Sequence, residues 1–155
     1  MLDYRKGRSV ICSLHVHLVF VTKYRRGVLS DRAMEVLRES FEQVCDDFGA
    51  VLVESDGEDD HVHLLVEYLP TVQLTKLVNS LKGVSSRMLH KKRFLEVEDK
   101  LWGGHLWSPS YCAASCGGAP IDIVRKYIED QRAQPPPEGR GLRRARGSNH
   151  LSFEL

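Results

Sequence analysis

The sequence predicts an α+β fold: a ferredoxin-like antiparallel sheet of the split βαβ kind, β-α-β-β-α-β, followed by a C-terminal helix. Three observations carry this. Segments alternating every second residue and segments with helical spacing follow one another as strand, helix, strand, strand, helix, strand, helix. An acidic turn, Asp56-Gly57-Glu58-Asp59-Asp60, joins the second and third strands as a hairpin. The first two helices each have one apolar stripe, so both pack on one face of the sheet and leave the other open to a ligand or partner.

Val10 to Thr22 is the first strand, in which Leu14, Val16, Leu18 and Phe20 alternate with Ser13, His15, His17 and Val19. Ser30 or Asp31 caps a helix running to about Phe48, with Met34, Leu37, Phe41, Val44, Cys45 and Phe48 on one face and Gly49 as its stop. Ala50 to Ser55 and His61 to Tyr68 are the hairpin strands. Pro70 and Thr71 precede the second helix, Val72 to about Lys92, whose stripe is Leu74, Leu77, Val78, Leu81, Val84 and Met88. Leu106 to Ala114 is the fourth strand, broken by Gly117-Gly118. Pro120 suits the first turn of a last helix running to about Arg132. Pro135-Pro136-Pro137 stops it, so residues 1–134 read as one domain and 135–155 as a Pro/Arg-rich tail.

The 155 residues are 42% hydrophobic and 28% charged, enough for a core and unlike a disordered chain or a disulfide-dense scaffold. No apolar run is long enough to span a membrane and no signal-type segment is read, so a cytoplasmic location is expected. Cys12, Cys45, Cys112 and Cys116 are irregularly spaced, as reduced thiols packed like small hydrophobes are. Cys112, Cys116 and His105 offer a weaker zinc-site reading.

The net charge of +1 argues against a nucleic-acid partner only until the charges are located. Residues 1–26 hold six bases and one acid, 31–60 eleven acids and two bases, and 72–93 six bases and no acid. The near-zero sum is a cancellation of segregated blocks, and an all-basic helix points to a polyanion.

The sharpest local signal for chemistry is His61-Val62-His63 at the start of a strand. Side chains two apart face together, so the imidazoles form a candidate metal-ligand pair while Val62, Leu64 and Val66 face the core. Asp59 and Asp60 stand beside them to orient an imidazole or attract a cation. The alternative is a pair of ordinary half-exposed strand histidines, and His15-Val16-His17 shows how common the bare pattern is. On the last helix Tyr127 and Gln131 are four residues apart and stack on one side, flanking the stripe of Ile121, Val124 and Ile128. A tyrosine needs help to act as a nucleophile, and a Gln carbonyl oxygen suits a hard cation. A helix–sheet boundary tyrosine is the plainer alternative. Neither a nucleotide-phosphate loop nor a dinucleotide fingerprint is present, so no nucleotide cofactor is expected.

With these motifs in place, the sequence resembles the single-tyrosine HUH transposases of the smallest prokaryotic insertion sequences, to which REP-associated tyrosine transposases are related. The resemblance runs from His17 to Gln131. It is carried by His17-Leu-Val-Phe-Val-Thr-Lys-Tyr-Arg-Arg26, Asp60-His-Val-His-Leu-Leu-Val66, Leu81-Lys-Gly-Val-Ser-Ser-Arg87, Trp107-Ser-Pro-Ser-Tyr111 and Val124-Arg-Lys-Tyr-Ile-Glu-Asp-Gln131.

The resemblance implies that His61, His63 and Gln131 hold a divalent metal, Mg²⁺ with Mn²⁺ able to substitute, and that Tyr127 is the nucleophile. It implies cleavage and rejoining of single-stranded DNA at hairpin-marked ends through a 5′-phosphotyrosine, by a homodimer whose active sites are completed between subunits. Lys23, Arg25 and Arg26 in the first turn, and Lys76, Lys82, Arg87, Lys91 and Lys92 on the basic helix, are the candidate DNA contacts. Two other readings stand beside this one. A domesticated nuclease of the same chemistry would act on dispersed hairpin repeats. A non-catalytic ferredoxin-like nucleic-acid-binding module would need exposed sheet aromatics, and the aromatic content is only 8%.

Overall fold

The alternation along the first strand holds in space. In the computed structural model, which describes residues 5–6, 11–12, 14–101, 105–115 and 127–130, β3 (Leu14–Val21) pairs antiparallel with β5 (His61–Tyr68). A two-residue ribbon, β1 (Arg5–Lys6) with β2 (Ile11–Cys12), precedes them. β4 (Val51–Glu58) and β6 (Cys112–Ser115) complete the sheet in the order β4-β5-β3-β6, all neighbours antiparallel. This is the predicted ferredoxin-like order. α1 (Asp31–Asp47) connects β3 to β4, and α2 (Leu74–Lys92) with the short α3 (Leu95–Glu98) connects β5 to β6. Residues 127–130 are helical. The rest of the expected last helix, with Gln131, Cys116 and the tail, lies outside the described residues.

The core lies between the sheet and its helices. Val16, Leu18 and Phe20 of β3 and Val62, Leu64 and Val66 of β5 are all at most 1% exposed. They join Leu37 and Phe41 of α1 and Leu77 and Leu81 of α2 in one cluster. Phe20 anchors it, edge-on to Phe41 at 6.1 Å between ring centroids and 5.8 Å from Trp107. Each large side chain so buried is worth about 1.5–3 kcal/mol, so the sequence pattern on these strands dictates which face turns inward. Ser30 is the α1 cap, its Oγ accepting from Ala33 N at 3.3 Å. Gly49 follows α1 with a φ of 66°, the backbone that glycine adopts without strain.

Several elements differ from the sequence reading. Of the expected first strand, Val10 to Thr22, only Leu14–Val21 joins the four-stranded sheet, while Ile11–Cys12 pairs with Arg5–Lys6. The short α3 has no counterpart in that reading. β4 runs through the Asp-Gly pair to Glu58, and the turn is Asp59-Asp60. Gly57 pairs opposite Val62, and a Cβ there would collide with the His61 carbonyl and the Val62 Cα. The glycine permits close strand approach and does not make the turn. The fourth strand is interrupted: Trp107 bridges to Thr22, the chain leaves the ladder at Pro109, and pairing resumes at Cys112. Proline has no N–H to donate to a ladder.

Gly57→Ala therefore lowers stability by about 1–3 kcal/mol, the range for forcing atoms into packed space, read as a lower urea midpoint. An unchanged midpoint would show that the hairpin yields at no cost.

Candidate active site

The face of the sheet opposite the helices is built by the other half of each alternation. His61 pairs with Val21, and His63 with Val19. From the other side Glu58 pairs with His61 and Asp56 with His63, so acids flank the imidazoles on that face. The two rings lie 4.9 Å apart between centroids, nearly perpendicular. His61 is buried and His63 half-buried. Burial, with His61 alongside, holds the His63 imidazole below its ordinary range, against a smaller upward pull from Asp56 and Glu58. A neutral imidazole is the form that binds metals.

The turn before β5 is pinned from outside. Thr22 N donates to Asp60 O at 2.9 Å, and the Thr22 hydroxyl lies 2.8 Å from Arg26 O and 3.1 Å from Asp60 O. Leu29 N donates to Asp59 O at 2.9 Å. Asp60 then uses both carboxylate oxygens: Oδ1 is 2.7 Å from His61 Nδ1, and Oδ2 is 2.6 Å from Arg25 Nη2. Glu58, Asp60 and His61 bring ligand atoms within 4.8 Å of one another, a cluster compatible with a divalent cation. Its donor set of one imidazole and two carboxylates fits such an ion, and the His63 ring stands beside it.

Tyr127 lies on the same face. It is buried with Val19, Val21 and Cys112, the β3 residues being those paired with His63 and His61. Its phenol is 2.8 Å from Ser110 Oγ. Burial pushes that phenol up to about 12, outweighing the hydrogen bond from Ser110. Ser110 sits in the Pro109 interruption of the sheet edge. Lys82 Nζ donates to the carbonyl oxygens of Ser108 at 2.7 Å and Ser110 at 3.4 Å, and burial pushes its ammonium down to about 8. Within Trp107-Ser-Pro-Ser-Tyr111 nothing in the sequence marks Ser110. Its spacing from Tyr127 carries no signal for contact, which arises only from the fold.

The sequence-predicted bases divide into two groups. Lys76, Arg87, Lys91 and Lys92 are exposed on α2, and the spacing of Lys76, Arg87 and Lys91 aligns them in one stripe. Lys23 and Arg26 flank the Tyr24 ring at 5.5 and 5.4 Å, and Arg26 donates to Lys100 O. Lys82 and Arg25 are engaged inside the fold, Lys82 by the Ser108–Ser110 loop and Arg25 by Asp60. Cys45 and Cys112 are buried free thiols, and His105 is exposed. Among the described residues no helix is long and apolar enough to cross a membrane.

The sequence profile of the family described as "Transposase IS200 like" matches residues 10–131. The ISDra2 transposase TnpA of Deinococcus radiodurans is 33% identical over 130 residues, 84% of this chain and 92% of that protein. The transposase for insertion sequence element IS200 of Salmonella typhimurium is 27% identical over 115 residues, 74% of each chain. Among solved structures, the crystal structure of a putative transposase from Deinococcus radiodurans R1 superposes with a TM-score of 0.75 at 34% identity, covering 82% of this chain and 97% of that one. A REP-associated tyrosine transposase bound to a REP hairpin has the same fold, with a TM-score of 0.51 at 14% identity over 83% of this chain and 69% of that one.

Two titrations test this geometry. The tyrosinate absorbance of the wild type minus that of Tyr127→Phe isolates one phenol titrating near 12, well above the ordinary 10. Lys82 in the fold loses its proton near 8, whereas an unfolded lysine holds it to about 10.5. Between those values the unfolded chain binds more protons, so this group makes stability rise with pH. Lys82→Met flattens that rise in urea midpoints. A slope equal to wild type would show that the ammonium is not desolvated.

Proposed function

The chain belongs to the IS200-like transposase family, and from that premise we propose that it cleaves and rejoins single-stranded DNA with Tyr127 as nucleophile. One observation supports this above the others: Tyr127 packs on the β3 residues paired with His61 and His63, so phenol and imidazoles share one face of the sheet. Tyr127 Oη attacks the scissile phosphorus, and the P–O3′ bond breaks. The phenol gives up its proton, the 3′ oxygen takes one up, and a 5′-phosphotyrosine remains. Attack by a new 3′-OH reverses the step, so the ester conserves the bond and no nucleotide is consumed.

Because burial holds the phenol protonated at neutral pH, deprotonation has to accompany attack. Ser110 Oγ holds the phenol oxygen meanwhile. His61 and His63, with Gln131, are the proposed holders of a divalent ion, Mg²⁺ or Mn²⁺. When bound, the ion polarises the scissile phosphate and offsets the charge that develops on it. His61 and His63 keep their direction because they stand on a paired strand, and Asp56 and Glu58 beside them favour a cation.

The DNA is proposed to be hairpin-bearing, the ligand class of the REP-hairpin-bound relative, docked along the Lys76–Arg87–Lys91 stripe. A homodimer is proposed to complete each site with the tyrosine helix of a second copy. One domain, residues 1–134, carries all of this.

An adduct assay with hairpin-bearing single-stranded DNA and Mg²⁺ is the test. The wild type forms a covalent protein–DNA species, and Tyr127→Phe forms none while still binding the hairpin. An adduct surviving in that variant would end the assignment and pass it to Tyr111. His61→Ala and His63→Ala remove metal-dependent cleavage, whereas loss with His15→Ala alone would move the metal site to the other histidine pair. Each stripe lysine replaced by alanine lowers the salt slope of binding by about 0.9 on a duplex stem or about 0.7 on single strands.

A further inference from the structure

Arg25 stands in a basic turn, yet its guanidinium is taken up inside the fold. It is paired with Asp60 at 2.6 Å, with both side chains largely buried, 17% and 13% exposed. We propose that Arg25 and Asp60 are a positioning pair for His61. Arg25 fixes the Asp60 carboxylate, and that carboxylate holds the His61 ring in one orientation and one tautomer. The proposal rests on the reading of His61 and His63 as metal holders.

The tautomer follows from donor counting. An ionised carboxylate only accepts hydrogen bonds, so the 2.7 Å contact makes His61 Nδ1 the donor. In a neutral ring the remaining lone pair is then on Nε2, the nitrogen left for a metal. Asp60 spends Oδ1 on His61 and Oδ2 on Arg25. It therefore orients a ligand and is not itself preorganised as one, although it lies within the Glu58, Asp60 and His61 cluster.

The backbone around Arg25 is shaped for this contact. Tyr24 and Arg25 both have positive φ, 60° and 49°, a region costly for residues with side chains. Arg25 N donates to Thr22 O, and Thr22 in turn holds Asp60 O. The strained turn and the carboxylate are thus locked in one frame. Arg25 Nε is buried with no hydrogen-bond partner among the described residues. A phosphate contact requires neither the strain nor the burial. What accompanies both here is the 2.6 Å contact with Asp60.

Mn²⁺ alone is the probe, titrated into the full chain and followed by the resonance of the free ion, beside the salt slope of hairpin DNA binding. Arg25→Gln and Asp60→Ala are expected to weaken Mn²⁺ affinity about 10–100-fold, as loss of a ligand's supporting partner does. Arg25→Lys is expected to restore most of it, and the salt slope of Arg25→Gln to equal that of wild type. In nitrogen NMR the His61 Nδ1–H signal shifts out of its hydrogen-bonded position in Asp60→Ala. Should Arg25→Gln not fold, Asp60→Asn carries the test, because it keeps the volume and loses the charge: weaker Mn²⁺ binding supports the pair. Wild-type Mn²⁺ affinity in these variants, with a salt slope lowered by about 0.7–0.9 in Arg25→Gln, overturns the proposal and makes Arg25 a phosphate contact. His61→Ala and His63→Ala separate the two levels. If they abolish Mn²⁺ binding while the Arg25 and Asp60 variants do not, only the positioning role fails. If they too leave it unchanged, the metal reading fails and the positioning role with it.

Discussion

The register between β3 and β5 is the constraint on which the rest of the molecule depends. It sets Leu18 opposite Leu64 and Val16 opposite Val66 on the helix side, and Val19 opposite His63 and Val21 opposite His61 on the other. A slip of one residue would turn every side chain over, sending both imidazoles into the core and Val62, Leu64 and Val66 into the site. Six buried strand side chains at about 1.5–3 kcal/mol each outweigh any single polar contact at about 1 kcal/mol. Apolar burial therefore places the histidines, and the polar contacts refine them.

Refinement is concentrated at one carboxylate. Asp60 is held by Thr22 through its main-chain oxygen and by Arg25 and His61 through its side chain. A buried ion pair of this kind gives little net stability over an apolar replacement, yet removing one partner costs about 3–5 kcal/mol. Its value lies in geometry: it joins the end of β3 to the start of β5. Beside it, at the same end of β3, where Ser108 N donates to Val21 O, the Ser108–Ser110 loop joins α2, through Lys82, to Tyr127. Two small polar junctions thus meet at the end of β3, and both use bases from segments whose overall charge suggests DNA contact.

That explains why a net charge of +1 informs so little. The acids gather on α1, β4 and the turn before β5, and the bases on α2 and the turn after β3. Within the basic segments the fold divides the residues again. Lys76, Arg87 and Lys91 remain on an exposed stripe, while Lys82 and Arg25 turn inward. Charge counting sees blocks. Only side-chain direction separates a surface cation from one that braces a loop.

The strand and helix order, the inward set of Val62, Leu64 and Val66, the outward His61 and His63 and a cap at Ser30 or Asp31 were legible in the sequence, because alternation and helical spacing are local properties that burial merely ratifies. The Asp-Gly pair misled, since a glycine for close strand approach and one for a turn look alike until the partner strand is present. The gap at Pro109, the Tyr127 contact with Ser110 and the pairing of Arg25 with Asp60 were not legible. Each joins residues distant in the chain through a packing that the whole core imposes, and no spacing rule encodes it. The sequence by itself determined which faces exist and which residues stand on them. The tertiary structure alone decided which of those residues meet, because contact distance is set by the sheet register and by the helices that press on it.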